Sequence, residues 1–284
     1  MVLYFNIVGI IYRISMDDCY VPEDFRKLSS YITSECNFDV DLSIGISSEL
    51  PVPAGKRVWT SGYRTVYRDE DQEMIYFGMG DGSYKNAYMC LVCRGNVLKA
   101  QVKSSDRLNK ITSGILIDAM MLDETLGALD GFLIHCSYIQ HGDGAIIFTA
   151  PSGVGKSTQA DLWHQYRGAE IINGDRAAIR AGESGYEVWG VPFSGSSKFC
   201  KNVRLPLKAI VCLSQAEKTS ICLLNSITSF RLLWEGCGFY GAATERMSNC
   251  CDTILDLISK VPVFSLACTP DESAVIALEN AMNQ

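Results

Sequence analysis

The residues with the clearest chemistry form one run, Ala150-Pro151-Ser152-Gly153-Val154-Gly155-Lys156-Ser157. Its two glycines let the backbone turn where other residues resist. Successive N–H groups can then converge on an anion, and the start of a following helix adds its dipole. The lysine is spaced to reach the outer phosphates of a nucleotide, and the serine hydroxyl to ligate Mg²⁺. The contact set this implies is Ser152, Gly153, Val154, Gly155, Lys156, Ser157 and the next residue, Thr158. Ala150 stands where such loops usually begin with glycine, and alanine is the next smallest side chain. The rival reading is a chance glycine-rich turn before a helix, which the Lys-Ser pair and the flanking pattern oppose.

Phosphate chemistry also needs a carboxylate near the metal or the attacking group. Asp175 follows Lys156 by 19 residues, at the end of the next strand. In a strand–helix–strand unit that end lies beside the loop. The alternative is an exposed turn residue in Asn173-Gly174-Asp175, since these types favour turns. Arg176 either neutralises phosphate charge or lies on the surface. Glu187 is a second metal-ligand candidate, set against a solvated strand position. His135 lies 15 residues before Ala150, and a lone histidine is more often a satisfied core residue. His141 and His164 read as structural, the latter pointing away from the phosphates. Ser194-Gly195-Ser196-Ser197-Lys198, with Lys201 and Arg204, is either a loop that closes over a ligand or an ordinary solvated loop.

These groups must be positioned by an alternating pattern. Strands are expected at 132–140 and 145–149, then a helix at 156–166 and short strands at 170–172, 177–179 and 186–189. Strands 208–213 and 220–224 read as neighbours. Helices follow at 226–234 and 244–260. A last helix opens at Thr269-Pro270-Asp271-Glu272, with Thr269 as its cap and proline in its first turn. Residues 1–110 are strand-rich. They hold an N-terminal strand or hairpin, a strand at 73–79, and a hairpin at 88–93 and 97–102 turned by Arg94-Gly95-Asn96. A short helix at 22–31, a loop at 48–55 and a helix at 113–129 complete the pattern. The expected organisation is a β-rich α+β domain over 1–112 and a nucleotide-binding domain over 113–284.

A formal charge of −7 makes general nucleic-acid binding a poor fit. The 12 cysteines include one C-x-x-C, Cys90 and Cys93, without the second pair a zinc ribbon needs. Free, buried thiols in a reducing cytoplasm are the expected state, with Cys90, Cys93, Cys212 and Cys222 in apolar runs. The apolar N-terminus lacks a basic flank and is too short to span a bilayer, so no membrane partner is expected. Self-association into a homo-oligomer stays open.

His135, 14 intervening residues, A-P-S-G-V-G-K-S and then Asp175-Arg176 together resemble the catalytic domain of HPr kinase/phosphorylase. That family belongs to the wider phosphoenolpyruvate-carboxykinase-like nucleotide-binding fold. The resemblance spans about residues 130–225. It implies an α/β fold with a mixed sheet, ATP or another nucleoside triphosphate with Mg²⁺, and phosphoryl transfer. His135 would then stand near the terminal phosphate and Asp175 would be catalytic. Three positions depart from the family. Gly174 replaces the first of two aspartates, Thr158 replaces a glutamate, and Trp189-Gly190 stands where Arg-Gly is usual. The last change leaves phosphorylase activity and HPr itself unsupported. The acceptor expected is a Ser or Thr of a peptide or protein, with a small-molecule hydroxyl as the alternative. A non-catalytic nucleotide-binding module whose β-rich half recognises a partner is the rival class.

Overall fold

The computed structural model describes residues 1–16, 27–61, 63–78, 84–104, 111–193, 195, 197–237 and 244–284. The chain divides into two units, Met1–Leu122 and Asp123–Gln284.

The first unit is built on a mixed sheet of eight strands. In chain order these are β1 (Val2–Ile7), β2 (Ile10–Met16), β3 (Val40–Ser47), β4 (Lys56–Thr60), β5 (Arg64–Arg68), β6 (Glu73–Phe77), β7 (Met89–Arg94) and β8 (Val97–Lys103). Their spatial order is β1-β2-β3-β8-β7-β6-β5-β4. The N-terminal apolar run forms the β1–β2 hairpin, and Gly95 turns the β7–β8 hairpin with φ +57°. Three of these strands had no counterpart in the sequence expectations. β3 alternates apolar and polar residues cleanly, whereas β4 is largely exposed and carries no such signal. Cys90 and Cys93 lie three apart on β7, on opposite faces of the sheet, so they do not converge on one ion. The expected helix at 22–31 falls partly outside the described residues, and its described end is a single 3₁₀ turn, Ser29–Tyr31. The expected helix at 113–129 is two short ones, α1 (Ser113–Ala119) and α2 (Leu122–Gly127). Met121 breaks them with φ +48°, a left-handed conformation that costs a non-glycine residue about 1 kcal/mol. α1 counts with the first unit, and the division falls inside the span expected as one helix.

The second unit carries β9 (Gly131–His141), β10 (Gly144–Thr149), α3 (Lys156–Arg167), β11 (Glu170–Asn173), β12 (Arg176–Gly182), β13 (Gly185–Gly190), β14 (Arg204–Gln215) and β15 (Ser220–Leu223). It ends with α4 (Ser226–Gly236), α5 (Thr244–Lys260), β16 (Val263–Cys268) and α6 (Glu272–Met282). The long strands β9 and β14 tie the sheet together. β9 pairs with β10 and β11 through its second half and with β12 through its first. β12 pairs with β13, β13 with β14, and β14 with β10, which closes the circuit. Alternation along β10 then sends Ala145 and Ile147 into one core and Ile146 and Phe148 into another beneath α3 and α6.

Two expectations change here. β14 and β15 are not neighbours, because β16 lies between them, parallel to β14 and antiparallel to β15. The cap of α6 is Asp271, whose carboxylate accepts the Ser273 N–H at 2.8 Å. The Thr269 hydroxyl instead meets Thr219 at 3.2 Å. Among the described residues no helix is long and apolar enough to cross a membrane.

Candidate functional site

β10 is buried along its whole length and delivers the chain to the phosphate-type loop. Its last residue, Thr149, donates its hydroxyl to the His135 carbonyl at 3.0 Å, fixing the loop's start to β9. Gly153 and Gly155 have φ of +81° and +125°. Side chains rarely adopt these values, so the glycines there are a conformational requirement. α3 begins at Lys156 and ends at Gly168, whose left-handed turn returns its N–H to the His164 carbonyl. The Lys156 ammonium donates to the carbonyls of Ala150 at 2.9 Å and Pro151 at 3.3 Å. Lys156 is only 8% exposed, and burial pushes its pKa below the ordinary lysine value. Rotation about its outer torsions would exchange those carbonyls for phosphate oxygens.

The second element is the turn between β11 and β12. Asn173 is fully buried and organises it. Its Oδ1 accepts from the N–H groups of Asp175 at 2.9 Å and Arg176 at 3.2 Å. Its Nδ2 donates to the carbonyls of Val191 and Phe193, each at 2.9 Å. The Cys136 N–H donates to the Asp175 carbonyl at 3.0 Å, which pins the turn to β9. Asp175 therefore projects from a rigid frame. Its Oδ1 lies 3.6 Å from His135 Nε2, and its Oδ2 lies 3.6 Å from Arg176 Nε. The His135 ring is the main cause holding this carboxyl below the usual range. Partial burial opposes it, and Arg176 and Lys156 assist. Arg176 is exposed and stacks over Phe193 at 5.3 Å.

Ser157 and Asp175 open onto one cavity of about 520 Å³, together with Ser137, Asp161, His164 and Lys198. A second cavity of about 310 Å³ lies against Ala150 and Pro151 and is lined by His135 and Thr149. His135 and Lys156 both act on the Asp175 carboxylate, beside the loop that Lys156 closes. His164, read in the sequence as structural, is exposed on α3. It follows Ser157 and Asp161 at helical spacing, so all three share one face of α3 and line the cavity. Its Nδ1 donates to the Ala169 carbonyl at 2.8 Å. Ser137 was not singled out in the sequence, where it is one serine in an apolar strand. It is fully buried, and its hydroxyl has no hydrogen-bond partner among the described residues.

Glu187 does not join this site. The β12–β13 register sets it opposite Arg180, four residues along β12 from Arg176, or roughly 13 Å at about 3.3 Å per residue. Its carboxylate is held by Arg204 at 2.6 Å. Lys201 is likewise paired, with Glu170. Of the loop expected to close over the site, Ser197 and Lys198 line the cavity, while Ser194 and Ser196 lie outside the described residues. Ser152 and Thr158 are exposed, on the loop and in the first turn of α3.

Gly174 has an ordinary φ, so its lack of a side chain has another cause. A Cβ placed there would collide with the side chain of Ser197, within 2.8 Å of its Cβ. Among the described residues no group of three or more His, Cys, Asp or Glu could hold a metal alone. Ser157 and Asp175 supply hard oxygens to one cavity. That suits Mg²⁺, which takes one or two protein oxygens and completes its shell with water and phosphate.

No protein-family model matches the chain, and no curated protein matches it. Among solved structures, the Hpr(Ser) kinase/phosphatase from Coxiella burnetii aligns with 52% of this chain and 89% of its own, at 8% identity and a TM-score of 0.31. A likeness this faint adds no weight to the geometry.

Proposed function

We propose that the chain is a nucleotide-dependent phosphotransferase, moving the terminal phosphoryl group of ATP or a similar triphosphate to a hydroxyl. One observation carries this reading. The glycine-rich loop before α3 ends in Lys156, which lies close enough to Asp175 to help hold its carboxyl below the usual range, and Asp175 lines a cavity with Ser157. The loop N–H groups and Lys156 would hold the outer phosphates, and Ser157 and Asp175 would offer oxygens to Mg²⁺. Bound Mg²⁺ would neutralise charge developing on the phosphates. The acceptor oxygen forms a bond to the terminal phosphorus as the bond to the bridging oxygen breaks. That electron pair leaves with the nucleoside diphosphate, and the hydroxyl proton passes to Asp175. His135 and Arg176 keep that carboxylate ionised and oriented.

Gly174 favours a second reading, a nucleotide-binding module without catalysis. A neighbouring carboxylate is missing there, and Ser197 occupies the space it would need. Transfer from γ-labelled ATP separates the two. The phosphotransferase reading expects Asp175→Asn to keep nucleotide affinity within a few-fold and to lose about 10²–10⁴-fold in transfer. A wild type that binds Mg–ATP and transfers no label would favour the module.

A further inference from the structure

We infer that two copies of this chain join through the free edge of β15, antiparallel about a twofold axis at Cys222, a contact independent of what the phosphate-type loop does.

β15 ends the sheet path, and among the described residues its one strand neighbour is β16. Just past the strand's end, the Leu224 N–H donates to the Val263 carbonyl at 2.8 Å. Bonded residues alternate along an antiparallel pair. Ser220 and Cys222 therefore turn their backbone groups toward β16, and Ile221 and Leu223 turn theirs outward. Sheet edges are normally blunted by lysine, proline or a bulge. β15 reads Ser220-Ile221-Cys222-Leu223, in unbroken register with β16, and carries none of these. Instead Cys222 is exposed, Leu223 is 65% exposed, and Ile227 in the first turn of α4 is 86% exposed. The charges just before the strand, Glu217 and Lys218, cancel.

Such an edge fits a second copy of itself. With Cys222 opposite Cys222, Ile221 of each copy lies opposite Leu223 of the other. These are the residues whose N–H and C=O face outward, so both pairs exchange both their hydrogen bonds. Both pairs are also apolar, and cross-strand pairs of this kind stabilise a sheet. They lie on the face that carries a groove of about 990 Å³, lined by Ile221, Leu223 and Phe264 with Ala277 and Ala281 of α6. Moving the axis to Ile221 would set Leu223 against Thr219, whose hydroxyl already meets Thr269 and Ser273. Moving it to Leu223 would set Ile221 against Asn225, the cap of α4. The Cys222 pair is then a non-hydrogen-bonded one, with Cα atoms about 4.5 Å apart, within the roughly 4.4–6.8 Å that a disulfide spans. The two thiols stand off the sheet face and stay open to reagents.

Light scattering in reducing buffer at micromolar concentration should give wild type twice the monomer mass. Leu223→Asp places two carboxylates on the seam and should halve that mass. Its far-ultraviolet circular dichroism should be unchanged, because the side chain is mostly in solvent. Wild type is also treated with diamide, which takes up the two electrons and two protons released as two thiols join. Peptide mapping without reduction should find Cys222 linked to Cys222, and Leu223→Asp should lose that link while keeping the cysteine. A monomeric wild type, a dimer that survives Leu223→Asp, or a dimer whose Cys222 thiols do not link overturns the inference.

Discussion

His135 Nε2 lies 3.6 Å from Asp175 Oδ1, and the two residues line different cavities, one with Ala150 and Pro151 and the other with Ser157. The pair couples β9 to the β11–β12 turn at the point where Lys156 sits. It also ties the charge of the candidate base to stability.

That tie has a direction. The folded pKa of Asp175 is lowered, first through His135. Its stabilisation is therefore complete above the unfolded aspartate value of about 3.9 and is lost as pH falls through the lower folded value. Replacing the ring in His135→Gln should cost stability at neutral pH, and the difference from wild type should shrink in the acid range below about pH 4. Denaturant unfolding across pH measures this. A difference independent of pH would show that His135 does not stabilise the ionised carboxylate.

Gly174 supplies a steric test. Gly174→Asp would set a second carboxylate beside Asp175, but its Cβ meets the Ser197 side chain. A loss of about 1–3 kcal/mol is expected, as for other overpacked sites. Ser197→Gly in the same chain should recover most of it. Thermal melts of the single and double variants decide the matter, and equal melting temperatures for the two would mean that Ser197 is not the obstacle.

The thiols divide by burial, and Cys222, expected to be buried in its apolar run, is exposed on β15. Burial pushes the Cys90 pKa to about 11 and that of Cys212 to about 12, while Cys36 and Cys222 are exposed. At neutral pH a thiol reagent should label Cys36 and Cys222 quickly, and Cys90, Cys136, Cys212 and Cys250 only on unfolding. Mapping labelled peptides against time tests this. Labelling of Cys212 as fast as Cys222 would contradict the buried strand placement.

Much of the site was legible because it is local. Gly153, Gly155, Lys156 and Ser157 act through one turn of backbone, and the spacing of Asp175 follows from a single strand–helix–strand step. The missed or misplaced residues depend on pairing that no short window encodes. Ser137 reaches the cavity wall from β9 and His164 from two turns along α3, which no short window shows. Glu187 fell out of the site through the register of the β12–β13 hairpin, which carries it away from Asp175. The separation of β14 from β15 required seeing that β16, a late segment, inserts between them. In the first unit β4 is too exposed to show a strand pattern.

The central claim is that the loop from Ala150 to Ser157 binds nucleotide phosphate through Lys156. Calorimetric titration of Mg–ATP into wild type and Lys156→Ala tests it most directly. Loss of a charge-assisted phosphate contact should weaken binding at least about tenfold, or about 1.4 kcal/mol. Equal affinity in the two proteins, or no binding by the wild type, would contradict the account.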